Sequence, residues 1–503
     1  MTAKIPKLSL SLLVGLFMFL PLMAQSSRQQ STFHSEIHSR VLHSLLNSPD
    51  YLYEHKFLNK DDGLHHPFES YTKVARALEE AFLPGEPQNN LLSYQHDLFT
   101  ADFNFLAGYE TSLNDPGNYG YPYKGWRINA RYSDYLHLNT YWYNGAFYGD
   151  LDAAEEDPLI DGYYKRFDNH IQLDNLSGEF GFYKDQYNLA LGRGRFQIGN
   201  SISGSIILND EVNDYAYLKA EASIGIFRFS FLHGSLMADS TYAIHDNAYV
   251  DSNYYPEKYI ALHQISFNPW KDTEIFAGET VIYGNRGIDL NYLLPNSFWR
   301  AVEHDLWDRD NMMIYGGINQ RLRGDALVYA QMVLDEFSYS KFFTSWWGNK
   351  YALQSGISLP LGKSTLGFEA TAVRPYTYAH FTNHTMYSHN RKSLGYPQGS
   401  NVLDLSFEAN IPIAPFLHLD SQISWRKRGS KGNSWQDNYH DIFGGQIDEA
   451  SAYWFEGEKS HEYQIRSSLL FSLMAHHDIL LAHDSLKTDS WSHRIIAAWQ
   501  FKY

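Results

Sequence analysis

The last twelve residues of the chain, 492–503, read SHRIIAAWQFKY. Every second side chain in this stretch is apolar, and the set comprises Ile495, Ala497, Trp499, Phe501 and Tyr503. Polar residues occupy the alternate positions, among them Arg494, Gln500 and Lys502. Because successive side chains of a β-strand point to opposite faces, the pattern predicts a strand with one apolar and one polar face that ends on an aromatic residue.

The same two-residue period recurs far upstream of this strand. WRINARY (126–132) and LHLNTYW (136–142) place Trp, Ile and Leu on one face and Arg, Asn and His on the other, and residues 176–183 repeat the pattern. One such strand would also fit a soluble sandwich. Its repetition over about 400 residues favours a transmembrane barrel, whose strands turn one face to lipid and the other to the lumen.

The composition also fits a barrel. The 503 residues are 44% hydrophobic with a mean hydropathy of −0.42, and after the N-terminus they contain no run of about 20 apolar residues that could form a membrane helix. Aromatic residues make up 16% of the chain, as in barrels with aromatic girdles, although a Tyr-rich β-sandwich would share this feature. We expect an all-β, antiparallel outer-membrane barrel of about 18 strands over residues 91–503.

Residues 1–24 have the features of an export signal. Lys4 and Lys7 precede the apolar stretch 8–20, and Ala24 offers a small residue for cleavage. An uncleaved membrane anchor is the alternative. Because no other long apolar run follows, an exported protein that stays in the membrane must be a barrel, and we expect it in the bacterial outer membrane.

Residues 25–90 show a different period from the rest of the mature chain. Phe33, Ile37 and Val41 recur at four-residue spacing, and a second stretch up to Pro84 repeats this pattern. The spacing predicts short amphipathic α-helices in a periplasmic segment that precedes the barrel.

The net charge and the cysteine content argue against several classes of function. The net charge of −17 disfavours nucleic-acid binding, which needs clustered Lys and Arg, and the absence of cysteine removes disulfides and thiolate sites. His34 and His38 are spaced as in the metal-binding motif H-E-x-x-H. Glu36 lies between them but does not occupy the position that Glu has in that motif. His476, His477 and Asp478, with Ser485 nearby, have the residue types of a Ser-His-Asp triad. A triad is recognised by its geometry, so proximity in sequence does not establish one. We therefore expect no enzyme activity, no catalytic residue, no metal and no cofactor.

Four segments, taken in chain order, carry a resemblance to a known family. Residues 189–220 read LALGRGRFQIGNSISGSIILNDEVNDYAYLKA, and residues 276–295 read FAGETVIYGNRGIDLNYLLP. They are followed by LVYAQMVLDEF (327–337) and TMYSHNRKSLGYPQGSNVLDL (385–405). In this order and spacing they resemble the capsule-assembly Wzi family of outer-membrane proteins. The chain departs from the family pattern at Asn209, where Ser is usual, and lacks the prolines that follow Asp210.

The resemblance implies an 18-stranded barrel with helices on its periplasmic side and a non-enzymatic, lectin-like function. Its implied function is to hold capsular or related exopolysaccharide at the cell surface. The implied partners are that polysaccharide, outer-membrane lipid and the barrel-assembly machinery. The matched segments single out, as polysaccharide-binding or lumen residues, Arg193, Arg195, Asp210, Glu279 and Asp335.

Two other functions are compatible with a barrel. A porin or solute channel would need an open lumen, whereas we interpret four arginines as inward side chains that fill it. They are Arg127, Arg131, Arg193 and Arg195. An outer-membrane hydrolase would need a catalytic constellation at the rim, which the sequence does not reveal.

Deletion of residues 501–503, or the substitution Tyr503→Asp, is expected to abolish barrel assembly. We interpret Trp499, Phe501 and Tyr503 as the signal that the assembly machinery reads. A charge on the lipid face costs at most about 2–4 kcal/mol and less near the interface, so lost recognition should dominate. The measurement is the amount of the protein at the surface of whole cells, with Tyr503→Phe as control. A normal amount of the deletion variant at the surface would contradict the interpretation.

Overall fold

The computed structural model describes residues 91–503, with gaps at 115–116, 134, 156, 158, 161–163, 185–186, 239–240, 243–252, 271, 323–325, 337, 343, 363, 415, 445–446, 475–476, 489 and 503. The predicted signal peptide (1–24) and helical segment (25–90) lie outside the described residues, as does Tyr503.

Eighteen long strands form one closed antiparallel sheet. In chain order they are β1 Phe99–Asn114, β2 Tyr119–Tyr132, β3 Leu136–Gly149, β4 Ile171–Lys184, β5 Tyr187–Gly194, β6 Tyr215–Ile224, β7 Phe227–Met237, β8 Glu257–Trp270, β9 Thr273–Gly284, β10 Asn311–Arg321, β11 Leu327–Glu336, β12 Lys350–Leu361, β13 Ser364–Val373, β14 Val402–Ala414, β15 Leu417–Gly429, β16 Lys459–Met474, β17 His477–Lys487 and β18 Trp491–Lys502.

The ring closes between its first and last strands. Each strand pairs with the next in the chain, and β18 returns to β1 in a register that runs from Leu106↔Lys502 to Asn114↔Arg494. Two further short strands, Leu92–His96 and Lys165–Arg166, each pair with a single neighbour and lie outside the ring. The predicted antiparallel β-barrel and its strand number are confirmed, whereas the predicted N-terminal helices stay a prediction.

The remaining elements are short. The α-helices are α1 Leu151–Glu155, α2 Trp299–Asp305 and α3 Tyr439–Phe443, and a 3₁₀ helix spans Leu290–Leu293. Two small hairpins pair Thr241–Tyr242 with Asn253–Tyr254 and Ser388–His389 with Lys392–Ser393. No helix in the described part of the chain has the length and apolarity needed to cross a membrane.

The two ends of the barrel differ in their connections. Tight turns join the strands at one end, for example at residues 225–226, where Gly225 adopts a φ of +61°. At the other end, strands are joined by long segments that include 195–214, 285–310, 374–401 and 430–458. Outer-membrane barrels have short periplasmic turns and long extracellular loops, so the long segments mark the extracellular end.

Outward and inward side chains alternate along the strands as the sequence predicts. On β4, Leu176 and Phe180 are exposed on the outward face, whereas Ser177 and Glu179 are buried on the lumen side. Arg127 of β2 is likewise buried on the lumen side, where its Nε donates to Asn129 Oδ1 at 3.1 Å. The alternation places Arg131 on the same face, so Arg127 and Arg131 lie on the lumen side as expected.

The closing register can be tested directly because the chain contains no cysteine. Thr111 of β1 and Ala497 of β18 are direct cross-strand partners, and such partners have Cα atoms about 4.5–5.5 Å apart, within reach of a disulfide. The variant Thr111→Cys/Ala497→Cys is expected to form an intramolecular disulfide, visible as a gel shift that reductant reverses. Thr111→Cys with Ala498→Cys moves one thiol to the other face and is the control. Equal cross-linking of both pairs would contradict the register.

Candidate functional site

The connection between β5 and β6 leaves the wall and occupies the lumen. We call residues 195–214 the first lumen loop, and within it residues 200–209 are all buried. Gln331 of β11 donates from Nε2 to Asn200 O at 3.1 Å, and Gln354 of β12 donates from Nε2 to Gly204 O at 2.9 Å. Because β11 is five strands from β6 around the ring, the loop reaches across the barrel to a distant part of the wall.

Glu369 of β13 is the main anchor of this loop on the far wall. Its buried carboxylate accepts the backbone N–H groups of Ile202 at 2.7 Å and Ser203 at 3.0 Å. It also accepts the Ser203 hydroxyl at 2.5 Å and the Tyr329 hydroxyl at 2.6 Å. Four donors therefore converge on one carboxylate, an arrangement in which hydrogen bonds to a charged acceptor are stronger than neutral ones.

A second connection, between β13 and β14, packs against the first. We call residues 374–401 the second lumen loop. The hydroxyls of Tyr378 and Tyr387 donate to Ile206 O at 2.7 Å and Ile207 O at 2.8 Å. The two loops and the inward wall residues share one buried apolar cluster, which includes Ile206, Ile207, Leu208, Leu262, Tyr378, Tyr387 and Leu394. Protein side chains from both loops thus occupy the lumen.

His389 and Lys258 tie the second lumen loop to the wall of β7 and β8. Burial lowers the pKa of His389 to about 3, so its ring is neutral and Nδ1 accepts the backbone N–H of Met237 at 2.9 Å. Lys258 Nζ donates to Asn383 O at 3.1 Å and to Ser388 Oγ at 2.9 Å. Both lumen loops are therefore held by specific polar contacts as well as by apolar packing.

Asp335, one of the predicted site residues, lies in the lumen and positions the second lumen loop. Its Oδ2 accepts the backbone N–H of Tyr378 at 2.6 Å, and its Oδ1 lies 3.2 Å from Lys350 Nζ. Lys350 in turn donates to Ala379 O at 3.1 Å. Asp335 and Lys350 thus form a buried ion pair, and each member also makes a hydrogen bond to the backbone of the second lumen loop.

Arg195 and Asp210, two further predicted residues, belong to the first lumen loop. Arg195 Nη1 donates to Val212 O at 3.2 Å, and its Nε lies 3.9 Å from Asp214 Oδ1. Asp210 is half-buried and interacts electrostatically with Arg195. Asn175 of β4 donates to Asp214 at 3.2 Å. These residues close the base of the loop where it leaves the wall.

Arg193 does not lie in the lumen, which corrects the expectation from the sequence. It shares the exposed outward face of β5 with Leu189 and Leu191, and its Nε donates to Leu176 O at 3.1 Å. The inward face of this part of β5 carries small residues such as Ala190. Arg193 lies next to the extracellular end of the strand, where an outward charge can reach the lipid headgroups.

Glu279 of β9 also lies outside the lumen. Its Oε2 is 2.9 Å from His263 Nε2 on β8 and accepts the backbone N–H of Trp299 at 2.9 Å. Trp299 belongs to the connection 285–310, which we call the outer flap because it folds back over the outward face of the wall. Glu279 is buried there, on the membrane side of the barrel.

The extracellular loops form an aromatic cluster that the sequence analysis did not single out. Trp347 packs on Tyr439 with ring centroids 4.4 Å apart, and Lys341 Nζ lies 4.8 Å from the centroid of Trp346. A β-bridge between Trp346 and Ser451 joins segment 338–349 to segment 430–458. We call these two joined segments the aromatic platform. No single stretch of sequence signals it, because its parts lie about 100 residues apart.

The exposed rim of the platform carries further aromatic rings. Tyr339 is 92% exposed and Tyr453 is 51% exposed, while Trp346 and Trp454 are half-buried. Planar rings held on a rigid base can stack on the C–H faces of sugars, and neighbouring polar groups such as Lys341 can meet their hydroxyls.

One group of potential metal ligands occurs in the described residues. Ligand atoms of Glu303, His304 and Asp308 lie within 4.8 Å of one another. Glu303 already pairs with Arg300, and His304 and Asp308 are exposed. The group is thus a charged cluster at the end of α2.

Comparison with known proteins establishes the fold. No family profile and no curated protein sequence matches this chain. Among solved structures, the chain is similar to Wzi of Escherichia coli, an outer-membrane protein involved in group 1 capsule assembly that is described as a carbohydrate-binding β-barrel. The TM-score is 0.51 at 14% identity, over 80% of this chain and 84% of Wzi.

Two other solved structures give lower TM-scores. OprD of Pseudomonas aeruginosa has a TM-score of 0.45 at 8% identity over 80% of this chain and 95% of its own. OccAB3 of Acinetobacter baumannii has 0.46 at 8% identity over 80% and 99%. At these identities the similarities show the fold alone, and this chain has the fold of an outer-membrane β-barrel.

Removal of the Glu369 carboxylate is expected to loosen the first lumen loop. Glu369→Ala leaves four donors without their acceptor, and each buried unsatisfied group costs about 1–3 kcal/mol. A loss of about 1.4 kcal/mol raises the undocked population about tenfold. In planar bilayers the variant should therefore conduct more often than the wild type. Glu257→Gln, at an exposed carboxylate, is the control, and unchanged conductance of Glu369→Ala would contradict the docking.

Proposed function

We propose that this protein binds surface polysaccharide on its extracellular face and anchors it at the cell surface, as a capsule-assembly, Wzi-like protein without enzymatic activity. The observation that carries the proposal is a lumen occupied by two loops that bind each other and opposite parts of the wall. A barrel filled in this way serves as a rigid scaffold for the surfaces at its extracellular end.

The anchoring of the lumen loops supports a scaffold over a solute channel. An open path through the lumen would require release of the Glu369 contacts of the first loop and the Asp335 contacts of the second. The hydroxyls of Tyr378 and Tyr387 bridge the two loops, so movement of one loop alone would break both of these bonds. Moving both at once would break several buried hydrogen bonds, each with a net contribution of about 0.5–1.5 kcal/mol.

The aromatic platform is the surface that we assign to the polysaccharide. Its exposed rings, Tyr339 and Tyr453, belong to the same two segments as the buried rings Trp347 and Tyr439, which form the base of the platform. A buried base limits the conformational entropy lost when a sugar stacks on the rim. Each sugar contact remains weak, because hydroxyl–protein bonds replace hydroxyl–water bonds. Retention of a polymer therefore depends on many repeats that meet many protein copies.

Arg195, Asp210 and Asp335 take part in this function indirectly. Their contacts position the lumen loops below the platform. A substitution at any of them is expected to act on the docking of a loop more than on contact with sugar.

Deletion of the gene is expected to leave polysaccharide synthesis intact and to release polymer into the medium. The measurement is the ratio of cell-bound to shed polysaccharide. In the same assay, Tyr339→Ala/Tyr453→Ala should lower the bound fraction. The purified double variant should bind the polymer about fivefold more weakly for each lost contact that contributed about 1 kcal/mol.

Tyr94→Ala is the matched control for the platform variant. Tyr94 is 57% exposed and lies on the short strand at the opposite, periplasmic end, so its loss should not change retention. An unchanged ratio in the deletion strain, together with ion conductance of the purified wild type in planar bilayers, would overturn the proposal in favour of a porin or solute channel.

A further inference from the structure

The outer flap covers part of the barrel's outward face. The flap, residues 285–310, contains the 3₁₀ helix and α2, and it buries Tyr292 and Trp299 completely. These rings pack on outward side chains of the wall and form a cluster with Phe231, Ala261, Val281, Tyr283 and Met312. An extracellular connection therefore seals the outward face of β7 to β10 at the upper part of the wall.

The flap reaches well below the extracellular rim. The ring of Trp299 stacks on His263 with centroids 3.9 Å apart, and its backbone N–H donates to Glu279 Oε2 at 2.9 Å. Glu279 stands five positions before Gly284, the last residue of β9. The flap thus descends to the level of the His263–Glu279 pair and shields both polar side chains.

The part of the wall that the flap leaves uncovered is shorter than the apolar band of an outer-membrane barrel. Residues 273–278 are the part of β9 below Glu279. At about 3.3 Å per residue and a tilt of about 40°, these six residues span only about 15 Å along the membrane normal. The apolar band of an outer-membrane barrel is about 25 Å tall. The flap must therefore supply part of the lipid-facing surface on this side of the barrel.

The outer surface of the flap has the side chains that this position requires. Five large apolar residues are exposed on it, namely Ile288 (54%), Leu290 (74%), Leu294 (53%), Phe298 (62%) and Trp307 (91%). The wall below the flap continues this surface with exposed Ile265 and Ile318. Exposed apolar side chains on this scale indicate a membrane or protein contact, and continuity with the lipid-facing wall favours membrane.

Arg286 and Arg300 of the flap are paired with carboxylates, as a membrane position demands, whereas Asp305 and Arg309 are exposed where the chain leaves α2 and returns to β10. Arg286 binds Asp310 through two hydrogen bonds of 2.8 and 2.7 Å and lies 3.3 Å from Asp289. Arg300 pairs with Glu303 in α2. Trp307 follows α2 near the return to β10, a place suited to an indole ring at the membrane interface.

We propose that the outer flap lies in the outer leaflet and binds the acyl chains of membrane lipid through the exposed face of Leu290, Leu294 and Phe298. In this position it completes the lipid-facing surface of β7 to β10 and keeps the His263–Glu279 pair away from lipid. The proposal is independent of polysaccharide binding, since it concerns the opposite side of the wall from the lumen.

Single cysteines placed in this cysteine-free chain test the proposal. Leu290→Cys and Phe298→Cys mark the flap, and Leu191→Cys marks the lipid-facing wall, where Leu191 is 64% exposed. Tyr339→Cys marks the extracellular loops, where Tyr339 is 92% exposed. Each variant carries a bimane label and is reconstituted in phosphatidylcholine vesicles with and without a nitroxide on the acyl chain. Heat-modifiable migration verifies that each barrel is folded.

The proposal predicts that the acyl-chain nitroxide quenches the fluorescence at the two flap positions to an extent comparable with the quenching at Leu191. Quenching at Tyr339 should be much weaker. Quenching at both flap positions no greater than at Tyr339 would overturn it. Formation of an intermolecular disulfide by unlabelled Leu290→Cys, combined with weak acyl-chain quenching, would also overturn it and would assign the face to a second copy of this chain.

Discussion

Lipid offers no hydrogen-bond partner to a peptide group, so every N–H and C=O at membrane depth must be paired within the protein. Pairing of β18 with β1 satisfies this constraint, because it leaves no free sheet edge in the ring. A closed ring of this size encloses a wide lumen. The two lumen loops occupy that space with apolar side chains, and Glu369 and Asp335 bind their backbone N–H groups.

Long extracellular connections cover both faces of the wall. The lumen loops fold inward and satisfy inward polar groups such as Gln331 and Gln354. The outer flap folds outward and covers the His263–Glu279 pair, with Trp299 in contact with both residues. In each case an aromatic or apolar face packs on the wall, and one buried carboxylate accepts a backbone N–H of the loop. The fold thus uses the same interaction to place its loops on opposite sides of one sheet.

The sequence predicts the barrel well because the two-residue period lies within each strand and does not depend on distant contacts. The paths of the loops depend on such contacts, for example between Asn200 and Gln331, which are 131 residues apart. Arg193 and Glu279 lie outside the lumen for a related reason. An ionisable residue near the extracellular rim can face outward, toward headgroups or beneath a covering loop, and alternation alone does not say which face is inward.

The occupied lumen depends on the first lumen loop, which crosses the barrel and docks on β13. Ile202 at the centre of that loop and Gly367 of β13 are suitable positions for a cross-link, because a Cβ built on Gly367 would lie 2.7 Å from Ile202 Cδ1. The measurement is disulfide formation in Ile202→Cys/Gly367→Cys on intact cells, read by mass spectrometry. The structure predicts a nearly complete intramolecular disulfide. Free thiols at both positions in a folded, surface-exposed barrel would contradict this docking.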